Sequence, residues 1–169
     1  MTLAINTLGA LGFINGLTQK EISDMYVTLI TPSPSTFRIW AVIYSLLIIS
    51  ITVMIVKKKD SYYELAIDKI STLFWISCIL NIAWIVLFSF VQIELSVLFI
   101  FGFVISLSLI CKKLLGIQDR KRWLLPLTFG IYTGWLFIAS VVNTAAMLVK
   151  LEWNGFGIAN NIWAIIMLI

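Results

Sequence analysis

Tyr132, Trp135, Ala139 and Asn143 follow one another at intervals of three, four and four residues. Ser77, Asn81, Trp84 and Phe88 repeat the pattern at four, three and four, and Phe37, Trp40 and Tyr44 at three and four. On a helix of 3.6 residues per turn each set falls on one face. Aromatic rings offer broad contact area and a carboxamide fixes orientation by hydrogen bonding, so these sets suit recognition of a lipophilic molecule. Trp84 and Trp135 lie deep in their apolar runs. Trp123 and Trp153 sit at run ends, where membrane interfaces collect tryptophan. The same residues have a plainer use, in which Asn81 and Asn143 bond across helices at roughly 0.6 to 2 kcal/mol each and the indoles fill space.

Other chemistries are poorly supplied. The chain has no histidine, the commonest metal ligand and general base. Cys78 and Cys111 have no ligand-like spacing and read as packing residues, so no metal site and no disulfide framework is expected. The runs containing Asn81 and Asn143 hold no ionisable group, which argues against a proton relay, a voltage sensor or hydrolytic acid–base catalysis. An enzyme is therefore the less favoured class.

The elements that must position these residues are membrane spans. Of the 169 residues 61% are hydrophobic and 12% charged, against roughly 25% charged in soluble domains. The expected fold is all-α, a polytopic transmembrane helical bundle forming one integral membrane domain over residues 1–169. Apolar runs place spans at about 1–16, 37–56, 70–91, 94–111, 123–149 and 153–169. The first is short enough to require tilting or an earlier start. Gly12 and Gly16 there form either a GxxxG contact or, beside Asn15, a turn. The last run ends without a polar flank, as in a chain that continues. Leu17–Ser35 reads as a substantial loop closed by Pro32 and Pro34, which cannot sit in a helix interior. Asp60–Lys69 reads as an interfacial connector with Tyr62 and Tyr63 at headgroup level. A tight turn is expected at Gln92–Glu94, and Pro126 is the one candidate for a helix break. Asn143 requires the stripe on 123–149 to face protein.

Charge sets the orientation. Lys57, Lys58, Lys59 and Lys69 lie in one loop and Lys112, Lys113, Arg120, Lys121 and Arg122 in another, whereas the opposite side has Lys20, Arg38 and Lys150. By the positive-inside rule the basic loops 57–69 and 112–122 are cytoplasmic and Leu17–Ser35 lies outside. The formal net charge of +4 is accounted for by these loops, and no nucleic-acid partner is expected.

The strings TPSPSTFRIWAVIY (Thr31–Tyr44), LNIAWIVLFSF (Leu80–Phe90) and IYTGWLFIASVVN (Ile131–Asn143) resemble the tryptophan-rich TspO/MBR family, bacterial relatives of the mitochondrial translocator protein. The segment NGLTQKEISDMY ahead of the prolines is similar to that of its longer bacterial members, the tryptophan-rich sensory proteins. The resemblance implies five transmembrane helices around a pocket, with Leu17–Ser35 lying over it, and a sixth apolar segment beyond that plan. It implies a bacterial cell membrane and a receptor or sensor for a flat lipophile of the porphyrin kind, with a homodimer among its assemblies. By this match Trp40, Tyr44, Asn81, Trp84, Trp135, Ala139 and Asn143 are ligand-binding candidates, and Phe88 and Tyr132 join them from the same helical stripes. No cofactor is required, and a metal-free porphyrin is the expected ligand because haem commonly takes a proximal histidine. The family also suggests light-dependent porphyrin breakdown, or transport or regulation of a lipophile, as alternatives. The chain departs from the family pattern in its split prolines, in Arg38, and in Ile131 where a proline is usual.

Overall fold

The computed structural model describes residues 1–117 and 123–168. It contains α1 (Thr2–Ala10), α2 (Gln19–Met25), α3 (Ile39–Val56), α4 (Ser61–Ser89), α5 (Ile93–Leu115), α6 (Leu124–Lys150) and α7 (Asn160–Leu168), with 3₁₀ turns at Pro34–Arg38 and Gly155–Gly157. The fold is all-α. Four helices, α3 with its preceding 3₁₀ turn, α4, α5 and α6, are long and apolar enough to cross a membrane. The helical part of 1–16 is Thr2–Ala10 and that of 153–169 is Asn160–Leu168. At nine residues, or about 14 Å of rise, each is shorter than a hydrocarbon core of ~30 Å. Gly12 and Gly16 lie beyond α1 with φ of +76° and +74°, so they serve the turn and form no helical GxxxG face. Arg120, Lys121 and Arg122 lie outside the described residues.

Two local differences from the sequence reading have clear causes. Asp60–Lys69 is helical almost throughout, because the Asp60 carboxylate accepts the Tyr62 backbone N–H at 3.0 Å and starts α4 there. The helical turn then carries Tyr62 and Tyr63 inward with Ala66 and Ile70, and all four are buried. The tyrosines pack edge to face, their ring centroids 5.1 Å apart, inside the bundle core. Pro126 falls in the first turn of α6, where a backbone N–H has no intrahelical partner to lose, so α6 runs on to Lys150 unbroken.

The long helices alternate direction. α4 packs on α5 and α5 on α6, while α1 lies against α4 and α3 against α6. The buried face of α5 runs through Ile93, Val97, Ile100, Val104, Leu107, Ile110 and Leu114, a 3.6-residue period. Val42, Ile48, Ile55, Trp75, Ile79, Leu98, Ile105 and Phe137 are exposed, as suits residues whose solvent is lipid. Six hydroxyls inside the spans are satisfied by their own helices: Ser77, Ser96, Ser106 and Ser140 donate to carbonyls three residues back, and Thr133 and Thr144 to those four back. One hydroxyl pair, Ser50 and Thr128, meets between α3 and α6 at 2.8 Å.

The ends of α4, α5 and α6 meet at one side of the bundle. Val91, between α4 and α5, has φ of +59°, an unfavourable conformation for a β-branched residue. Lys150, at the C-terminus of α6, donates to the Val91 carbonyl at 2.9 Å and to Glu94 at 2.8 Å.

Candidate ligand cavity beneath helix α2

The stretch read as a loop from Leu17 to Ser35 contains α2. Thr18 and Glu21 form a capping box, with the Thr18 hydroxyl accepting the Glu21 N–H and the Glu21 carboxylate accepting the Thr18 N–H. Those bonds to Thr18 hold the Glu21 carboxyl below its ordinary range. Lys20 and Asp24 pair along the helix's exposed side. The opposite side presents Gln19, Ile22 and Ser23, all buried. Ile22, fully buried, clusters with Ile93 and Ala146 against the ends of α5 and α6.

Beneath this face lies a cavity of about 60 Å³. Trp40 and Phe37 wall it on one side, Trp84 and Phe88 on α4 on another, and Trp135, Ala139 and Asn143 on α6 on a third, with Gln19 and Ser23 above. Six of the nine residues marked from the sequence thus share one space: Trp40, Trp84, Phe88, Trp135, Ala139 and Asn143. Trp40 is the hub. Its ring centroid is 6.1 Å from each of Trp84, Tyr132 and Trp135, edge-on to the last two.

The other three lie elsewhere. Asn81 is fully buried; it accepts from Asn6 on α1 and donates to the Tyr132 hydroxyl at 3.3 Å. Asn81 and Tyr132 do not line the cavity. Tyr44 stacks on Trp40 at 5.4 Å with 16° between the planes, and lines a neighbouring space on the far side of that ring.

The polar atoms at the cavity are unevenly committed. Trp84 and Trp135 are 6% and 8% exposed, and the indole N–H of each is buried without a hydrogen-bond partner among the described residues. An unmet buried donor costs about 1–3 kcal/mol, so two around one small space mark a place where an acceptor would be favoured. Asn143 is half committed. Ser96 Oγ lies 2.8 Å from the Ile93 carbonyl and 3.1 Å from Asn143 Nδ2. The same Oγ lies 3.2 Å from Asn143 Oδ1, so Ser96 engages both ends of the carboxamide, and Oδ1, with two lone pairs, keeps one to accept a further bond. The cavity therefore offers two indole donors and a carboxamide acceptor between aromatic walls, with the polar side chains of Gln19 and Ser23 above, and no charged residue lines it among the described residues.

The sequence reading missed Gln19 and Ser23. The signal was present in Thr18-Gln19-Lys20-Glu21, a capping-box pattern, followed by Ile22 and Ser23 at helical spacing from Gln19.

Compared with known proteins, the chain is matched over residues 1–169 by the family model described as TSPO-like protein. No curated protein and no solved structure matches it.

Proposed function

Because this chain belongs to the TSPO-like family of membrane proteins, we propose that it is a membrane receptor binding a flat lipophilic ligand, tetrapyrrole-like and metal-free, in the cavity beneath α2. The observation that carries this reading is the pair of buried, unpartnered indole N–H groups of Trp84 and Trp135 on facing walls of one aromatic cavity. A ligand with acceptor atoms in a flat ring would lie between these walls and meet both donors, and Asn143 Oδ1 would take a ring N–H.

The volume limits how this happens. A space of about 60 Å³ holds a few waters, whereas ligand pockets run to ~300–1,000 Å³. Binding therefore requires α2 to lift or Trp40 to swing. The seven residues of α2, held chiefly by one buried isoleucine, are the movable part. On this reading the protein lies in a bacterial cell membrane with 57–69 cytoplasmic and α2 on the outer face.

The test is titration of the nanodisc-held protein with protoporphyrin, following tryptophan quenching against the Trp84→Phe, Trp135→Phe double variant. Saturable quenching that the variant weakens supports the cavity; equal affinity in both proteins removes the two indoles from the site.

A further inference from the structure

We propose that the ligand cavity continues into a second chamber across Trp40, and that this chamber takes a carboxylate arm of the same ligand. The inference rests on the lipophile reading above and adds the polar end that reading leaves open.

The chamber lies between α1, α2 and the start of α3, has a volume of about 270 Å³, and is bordered by Asn6, Thr7, Gln19, Lys20 and Tyr44. Trp40, Phe37 and Gln19 are walls of both spaces. Trp40 is thus a partition one ring thick. Ring contacts hold it, and no hydrogen bond within the described residues does, so turning it aside would join the two volumes into one of ligand size.

The donor inventory of the chamber selects the arm. Asn6 spends its amide protons on the Thr2 carbonyl and on Asn81 Oδ1, and Thr7 gives its hydroxyl proton to the Leu3 carbonyl. Three donors remain. The Tyr44 hydroxyl is buried without a partner. Gln19 is only 9% exposed, and its amide has no partner within the described residues; it reaches in over Gly9, where a Cβ would come within 3.2 Å of its Nε2. Lys20 brings an ammonium whose one partner is Asp24, a residue that does not line the chamber. A phenol and an amide bordering one space, with an ammonium at its rim that Asp24 holds on the exposed side of α2, call for an anionic group with several lone pairs. A carboxylate, with two oxygens, about four acceptor positions and a negative charge, supplies that; an alcohol brings half as many acceptor positions and no charge, and a bare hydrocarbon none.

Protoporphyrin, which carries two carboxylic acids, and its dimethyl ester test this in nanodiscs at neutral pH, by quenching of wild type, Lys20→Met and Gln19→Leu. The free acid should bind wild type at least about tenfold more tightly than the ester, the range of a charged hydrogen bond. In both variants that preference should shrink to within about twofold; in Lys20→Met, whose residue does not line the aromatic cavity, ester affinity should also hold, which shows that this variant is folded. Equal affinities of acid and ester for wild type would overturn the carboxylate arm and leave the lipophile reading standing. An acid preference that survives both substitutions would overturn the chamber as its site. Saturable binding of neither compound would overturn both readings together.

Discussion

Asn81 on α4 accepts a hydrogen bond from Asn6 on α1 and donates one at 3.3 Å to the hydroxyl of Tyr132 on α6, so one fully buried carboxamide joins three helices. Both of its polar ends are committed to protein. Asn81→Leu should therefore lower thermal stability by about 1–2 kcal/mol while leaving protoporphyrin affinity within about twofold. A large loss of affinity with unchanged stability would return Asn81 to the ligand site.

The two indoles should behave in the opposite way. Trp84→Phe and Trp135→Phe each keep an aromatic ring and delete an N–H that the protein itself does not satisfy. Stability should stay within about 1 kcal/mol of wild type, since the lost packing is offset by removal of an unmet donor. Porphyrin affinity should fall roughly three- to tenfold per substitution, the worth of one hydrogen bond. Melting in detergent and quenching titrations on the same samples would separate these outcomes.

The lid helix should loosen in acid. The folded-state pKa of Glu21 lies below its ordinary value because the carboxylate accepts from Thr18. Its contribution to holding α2 is thus complete above the unfolded carboxyl pKa, declines as pH falls below it, and is gone beneath the lowered folded value. Amide hydrogen exchange in Gln19–Met25, corrected for intrinsic rates, should speed up as pH falls through and below the ordinary carboxyl range. Glu21→Gln, which removes the titrating carboxyl, should abolish that dependence, whereas Thr18→Ala, which keeps the backbone N–H, should only reduce it. Flat protection across this range in wild type would contradict the capping role.

Lys150 should act as a clamp on the α4–α5 turn. Its ammonium holds both the Val91 carbonyl, in a strained left-handed residue, and the Glu94 carboxylate. Lys150→Met keeps the aliphatic stem and removes both bonds, and should cost about 1–2 kcal/mol in thermal stability. The double-mutant cycle with Glu94→Gln reports the share that belongs to the ion pair.

What the sequence made legible follows from how each residue is surrounded. Trp135 and Asn143 could be placed on an inward stripe because a carboxamide within a long uncharged run has nowhere to face but protein. The partner of Asn81 could not be read, since Asn6 lies far away in a short apolar segment and nothing local marks the pair. Tyr62 and Tyr63 were assigned to the membrane surface by their charged neighbours, yet the cap at Asp60 sets the helical phase that turns them inward. Helix α2 was hidden by its brevity and polarity, and with it Gln19 and Ser23, which roof the cavity. A charge count also gave no sign that Lys20, to all local signs an ordinary loop cation, borders the space beside Trp40 and Tyr44.

The hydroxyls that bond back to their own helices bear on how the chain is made. Ser77, Ser96, Ser106, Thr133 and Ser140 are satisfied as soon as each helix exists, so those hydroxyls meet lipid already paired as each helix enters the bilayer. Asn81 does not. Of its two partners, Asn6 precedes it in the chain and Tyr132 follows two helices later, so α4 completes its polar bonds in stages as the polypeptide emerges. Biogenesis of the bundle is then ordered by a single carboxamide, with α1 as its first companion and the arrival of α6 as the step that closes the interior.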